Sequence, residues 1–168
     1  MELSTAIKTR SSASKLTTPG PTPADLAQIL DAAAHAPDHG RLKPWQFIVL
    51  DAAMRERFAL AAAAAKRVRV PTMTDEQFAA EREKVARSPT IVVVACTVRR
   101  DQTKVPEIEQ VIAAAAAAEN LFLAAHDLGY GVMWKTGAAA YDAGVKAELG
   151  LDPNDHIVGI MHLGTRLK

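Results

Sequence analysis

The run TIVVVACTV, residues 90–98, constrains the fold more than any other stretch of the chain. Its side chains are apolar or β-branched at consecutive positions. A strand with one wet face would alternate apolar and polar residues, so this run predicts a strand buried on both faces. The segment PEIEQVIAAAAAAENLFLAAHDLG, residues 106–129, predicts a long helix whose apolar side chains surround much of its axis. Such a helix belongs in the centre of a core. The alanines from Ala113 to Ala118 leave room for other backbones to approach closely.

The rest of the chain alternates helix and strand patterns. Residues 2–9 predict a short helix ending near Arg10, and residues 11–21 a polar, extended connection. A further helix starts at Thr22 as cap, with Pro23 in the first helical position and Asp25 three residues after the cap. Leu26, Ile29, Leu30 and Ala33 repeat at helical spacing, and Pro37 ends the helix near Ala36. QFIVLD (46–51) predicts a strand, Ala52 to Arg67 an alanine-rich helix, and Thr74 with Gln77 the capped start of another. YGVMWKT (130–136) and HIVGIMHLGT (156–165) read as strands, with a short helix over 139–150 between them. The class is therefore α/β or α+β. No repeat or internal boundary divides the chain, and 168 residues suit one domain, 1–168.

A net charge of +1 supplies no basic surplus for nucleic acid or an anionic membrane. The longest weakly polar stretch, Val111 to Ala118, is too short to span a bilayer. The N-terminus has no long apolar core of the secretory kind. Cys96 is the single cysteine and cannot form an internal disulfide, which fits a reducing cytoplasm.

Several chemistries find no support. His35 and His39 are four apart, but Pro37 lies between them and no third ligand follows at a metal-site spacing. His126, His156 and His162 are scattered and read as surface or capping residues. The glycines of LGYGVMW follow a helix and enter a strand, the reverse of a dinucleotide-binding turn. They are expected to cap the helix at Gly129 and to relieve packing at Gly131. Cys96 reads as a buried structural thiol, and no serine sits in a nucleophile-elbow context.

Three polar clusters remain. TRSSASK (9–15) carries Arg10, serine hydroxyls and Lys15, which suit a phosphate monoester or, equally, a solvated basic connection. APDHGRLKPWQFIVL (36–50) crowds His39, Arg41, Lys43 and Trp45 before an apolar strand. It is either a dense surface turn or a loop that holds a ligand. MWKTG (133–137) ends a strand with an aromatic wall, a cation and a hydroxyl.

With the closing segment DHIVGIMHLGT, these clusters and the long helix stand in the order found in the nitroreductase family, and the sequence resembles its short bacterial NAD(P)H nitroreductases. The resemblance implies an α+β fold: a central mixed or antiparallel sheet flanked by helices, a long buried core helix and an intertwined homodimer. It implies FMN at each of two interface sites and NAD(P)H as electron donor, with ping-pong hydride transfer to a nitroaromatic, quinone or other small oxidant. Carried over by position, Arg10, Ser11 and Ser12 contact FMN. His35 and His39 reach the flavin held mainly by the other subunit, and Trp45 anchors their loop. Trp134, Lys135 and Thr136 line the same pocket. Lys15 and Lys135 place charge near the pyrimidine edge of the flavin. No side-chain catalyst or metal ligand is implied, because the flavin carries the chemistry. The resemblance has departures: Ser11 stands where a second Arg is common, and Lys135 where relatives have Arg. The chain stops at GTRLK, where relatives continue into a tail that wraps the partner, leaving Arg166 or Lys168 to serve the phosphate. Two other readings stay open at this point: a flavin-binding storage or regulatory protein without turnover, and a metal-binding module built on His35 and His39.

Overall fold

A computed structural model describes residues 1–86, 88–101 and 104–167. Its sheet is organised by β3 (Thr90–Cys96) and β5 (His156–Arg166). Strand β3 pairs with β2 (Trp45–Val49) on one side and with β5 on the other. Strand β5 also pairs with β4 (Gly131–Lys135) and β1 (Leu16–Thr17). All of these pairings are antiparallel, so the sheet of the described residues is antiparallel and not mixed.

The expectation for residues 90–98 holds in its main point: every residue from Ile91 to Cys96 is buried. Alternate side chains of β3 enter two different cores. Ile91, Val93 and Ala95 pack with Phe58 and Ala65 of α3 (Ala52–Arg69) and Val145 of α6 (Ala143–Glu148). Val92 and Val94 pack with Ile29 and Ala33 of α2 (Pro23–Ala33) and Leu121 and Phe122 of α5 (Glu107–Asp127). Helix α4 (Asp75–Ala86) packs on α3, and α1 (Leu3–Thr9) on α5. An antiparallel sheet covered on both faces thus produces the continuous apolar run that parallel sheets usually show.

Helix α5 is long and apolar enough to cross a membrane by length and composition. Here it is a core helix, with Ala113, Ala114, Ala117, Ala118, Leu121 and Phe122 buried. Gly129 ends it with φ +86°, and Tyr130 N–H donates to the Ala125 carbonyl at 2.9 Å. Gly131 has no room for a side chain: a Cβ there would lie 2.7 Å from Leu16 Cδ2. Both glycines therefore act as expected.

Several boundaries differ from the sequence reading. Helix α2 starts as expected, with Thr22 Oγ1 accepting from Asp25 N–H at 3.1 Å. It stops at Ala33, and residues 34–36 form a tighter turn before Pro37. Helix α3 runs on to Arg69. The helix expected over 139–150 is two elements, a 3-10 turn at Ala138–Tyr141 and α6. Asp142 separates them by accepting from Val145 N–H at 3.0 Å and so starting a new helix.

Candidate functional site

The sheet face covered by α3, α4 and α6 is left open at one end. There the segment 13–16 crosses β4, docked by Ala13 N–H on the Val132 carbonyl at 2.8 Å. The lack of a side chain at Gly131 permits this crossing. Between this segment, the end of α4 and strands β4 and β5 lies a cleft of about 510 Å³. Its walls include Lys15, Lys84, Ser88, Met133, Lys135 and His162. Strand alternation decides which residues of β4 take part: Met133 and Lys135 face the cleft, while Val132 and Trp134 pack in the opposite core. A smaller compartment adjoins it, where Thr136 joins Lys135 and His162 beside Phe58, Ala139 and Ile160.

The cleft is electropositive. Lys15 and Lys135 are exposed, and Lys84 reaches Glu81 at 2.6 Å. Burial works to raise the Glu81 carboxyl, but hydrogen bonds and charges from Lys66 and Lys84 outweigh it and hold the group below its ordinary range. His162 is different in kind: it is 5% exposed, and its Nδ1 lies 2.6 Å from Ser88 Oγ. Burial, with a smaller contribution from the Lys135 charge, pushes its pKa down to about 4, so the imidazole is neutral near pH 7. Arg55 fixes the turn that carries Ser88, donating to the carbonyls of Ser88 at 2.7 Å and Pro89 at 3.2 Å.

The residues expected at the site fall into three groups. Lys135 and Thr136 line the cleft and its side compartment, and Lys15 lines the cleft with its neighbour Ser14. Arg10, Ser11 and Ser12 precede this wall in the chain and line neither the cleft nor its side compartment. Arg10 Nε is 3.5 Å from Glu119 Oε1, and its guanidinium stands 4.8 Å over the Phe122 ring. Arg166 donates to Ser11 Oγ at 3.1 Å and to the Ser11 carbonyl at 2.5 Å, so it is tied to the segment it was expected to assist. Ser12 is exposed. Lys168 lies outside the described residues. Trp134 is the third case: its indole N–H donates to the Val158 carbonyl at 3.0 Å, on the α2 and α5 side of the sheet.

His35 and His39 do not line this chain's own cleft. His35 Nδ1 lies 2.8 Å from the Asp31 carbonyl, and His39 Nδ1 lies 2.5 Å from Glu109 Oε2. The two rings have different partners, and among the described residues no group of three His, Cys, Asp or Glu side chains could hold a metal ion. The loop carrying His39 is tightly wound. Arg41 and Lys43 adopt φ of 56° and 47°, and Lys43 N–H donates to Asp38 Oδ2 at 2.6 Å. Non-glycine residues rarely hold this conformation. Trp45 is half-buried at the start of β2. Cys96 is buried, and desolvation pushes its thiol up to about 12, which makes it inert.

Sequence reading missed Lys84, Ser88 and His162. The first two stand near the end of α4 with no motif around them. His162 was read as a surface or capping residue and is instead part of the cleft floor.

A model of the nitroreductase family matches residues 7–165. The chain is 35% identical over 156 residues to "Putative NAD(P)H nitroreductase YdjA" of Escherichia coli (strain K12), covering 93% of this chain and 84% of that protein. Among solved structures it is similar to a nitroreductase with bound FMN from Bacteroides fragilis. The TM-score is 0.74 at 25% identity, over 99% of this chain and 89% of that one. It is similar also to a nitroreductase family protein from Clostridium novyi, with TM-score 0.75 at 27% identity, over 100% and 87%. The antiparallel sheet with its buried central helix, and a match that spans almost the whole chain, place this oxidoreductase in the nitroreductase family.

Proposed function

We propose that the chain is an FMN-dependent NAD(P)H oxidoreductase that passes reducing equivalents to a nitroaromatic, quinone or other small oxidant. The observation that carries this reading is the cleft walled by Lys15, Lys84 and Lys135. FMN is an apolar ring system with a polar edge and a dianionic phosphate. Leu16, Met133 and Leu167 supply apolar wall, Ser14 and Ser88 hydroxyls, and the lysines charge. A volume of about 510 Å³ lies within the usual range for cofactor sites, roughly 300–1,000 Å³. The residues present therefore fit the group.

FMN, when bound, would supply two-electron redox chemistry between NAD(P)H and the oxidant. The protein's part is binding, orientation and charge. Lys15 and Lys135 favour whichever state of the ligand carries more negative charge in the cleft. In this reading Arg10, Ser11 and Ser12, which precede the cleft wall in the chain, form the phosphate-binding group, and Arg10 must leave its place against Glu119 and Phe122 to do so. The half-exposed pair of Arg10 with Glu119 is worth at most about 1 kcal/mol, so a phosphate dianion competes for the guanidinium effectively. Thr136, directly after β4, completes the wall of the side compartment. A single buried thiol, Cys96, suits a protein of the reducing cytoplasm.

The working form in this reading is a homodimer. On α5, Ile108 and Ile112 are 62% and 59% exposed, one helical turn apart, and Leu3 and Ile7 of α1 are exposed as well. Exposed apolar surface of this kind is what a second copy of the chain would cover. His39 lies beside Ile112, on the edge of this surface, and His35 at the end of α2. Both would serve the partner's flavin, since neither reaches its own cleft.

The test is a titration of purified protein with FMN, followed by flavin fluorescence and melting temperature. Specific binding to the native state raises the melting temperature. NADH or NADPH oxidation by the loaded protein, with a nitroaromatic as acceptor, then tests turnover. Saturating FMN that leaves both fluorescence and melting temperature unchanged defeats the proposal. A monomer by sedimentation that still binds FMN tightly defeats its dimeric part.

A further inference from the structure

We infer that His162 hydrogen-bonds the flavin ring system from the floor of the cleft, as a neutral positioning residue. The inference rests on the flavin reading above and adds a contact to it. His162 sits on β5 opposite Ile91 of β3 and Met133 of β4, in the middle of the sheet. Its neighbours on this face, Ile91, Val93 and Ile160, are apolar. A polar side chain in such a place is costly unless its hydrogen bonds are made. Ser88 Oγ satisfies Nδ1 at 2.6 Å and so fixes the ring. The ring lines both the main cleft and its side compartment. Nδ1 is the ring nitrogen that Ser88 engages, and Nε2 makes no hydrogen bond to another described residue.

The surrounding groups define what this nitrogen can offer. Lys15, Lys84 and Lys135 are donors and carry charge; Lys84 is engaged by Glu81. His162 is the one neutral imidazole among them. Ser88 can donate to Nδ1 or accept from it, and either arrangement leaves one polar ring nitrogen for the ligand. A ring held rigidly by a hydroxyl on one side orients that nitrogen, which a lysine on a flexible stem does not do. The phosphate-binding group lies elsewhere, at Arg10 to Ser12, so the contact belongs to the part of FMN that riboflavin shares.

The experiment titrates FMN and riboflavin against the wild type, His162→Leu and His162→Gln. Losing one neutral hydrogen bond should weaken both flavins by the same factor, roughly three- to tenfold, and glutamine should restore part of it. Long-range proton–nitrogen spectra of histidine-labelled wild-type protein provide a second readout that packing alone does not move. The His162 nitrogens, assigned by their absence from His162→Gln, should shift when riboflavin is added. A loss confined to FMN, unchanged affinity for both flavins, or ring nitrogens indifferent to riboflavin each overturns the inference. If His162→Leu does not fold, the spectra of the wild-type protein decide. Wild-type protein that takes up neither flavin defeats the flavin reading itself, and is told apart because it needs no variant.

Discussion

The two faces of the sheet share the same strands and are finished in opposite ways. Against α2 and α5, the face is sealed by Val92, Val94, Met161, Leu163 and Trp134, packed with Leu121 and Phe122. Against α3, α4 and α6 it begins as an equally apolar core around Phe58, Ile91 and Val93. It then gives way at one end to Lys135, His162 and the lysines of the cleft. Strand alternation lets β4 and β5 do both at once, with Trp134 on the sealed side and its neighbours Met133 and Lys135 on the open one. One face is therefore spent on stability, and the other sets polar groups where a ligand can meet them.

The largest expected effect lies on the sealed face. Phe122 is 2% exposed, and Phe122→Ala should destabilise the protein by about 3–5 kcal/mol, measured by denaturant unfolding. A loss below about 1 kcal/mol would show that this face repacks easily and is not the rigid half of the comparison.

The next effect lies on the open face and depends on pH. The His162 pKa is lowered to about 4 in the folded state, against about 6.5 unfolded. Between these values the unfolded chain binds more protons. Stability is thus fully present above about pH 6.5 and falls as pH drops toward 4, by on the order of 3 kcal/mol. Unfolding measured across this window in wild type and His162→Gln should show that part of the slope disappear in the variant. Identical slopes would mean that His162 is not buried neutral in solution.

A third test separates the two ends of the ligand. In the proposed reading Arg10 binds the phosphate, so Arg10→Ala should weaken FMN by about ten- to a hundredfold, while riboflavin, which lacks the phosphate, is hardly affected. Equal losses for both would show that Arg10 acts through its contacts with Glu119 and Phe122 on the sealed face, not on phosphate.

How legible each face was in the sequence follows the same division. The sealed face could be read because burial on both sides leaves a run like Ile91 to Cys96 with no polar residue. Thr22 and Pro23 marked α2, and the alanines marked α5, because capping and close packing restrict the residue types allowed. Strand β1 could not be read: Leu16 and Thr17 are a strand only because Arg166 and Thr165 pair with them. His162 was missed because a histidine with no partner at a motif spacing reads as a surface or capping residue, and only the pairing of β5 with Ile91 and Met133 sets it in the sheet. The ladder between β3 and β5 shifts register, Val94 facing Gly159 and Ala95 facing Ile157. Ile157 and Ile160 therefore share a core although they are three apart. Lys84 and Ser88 come to the cleft by tertiary packing alone. Trp134 and its neighbours were read as one motif, and strand alternation sends them to opposite sides: Met133 and Lys135 to the cleft, the indole to the α2 and α5 side.

The central claim is that the open end of the sheet is where the flavin sits, and Lys135 tests it most directly. Lys135 is exposed at the cleft wall, so Lys135→Ala should leave the fold intact. The measurement is a fluorescence titration of FMN into wild type and Lys135→Ala at one ionic strength. The account expects about tenfold weaker binding in the variant, the lower end of what a charge-assisted contact contributes. Equal affinity, with the wild type binding FMN tightly, would place the flavin elsewhere and contradict the account.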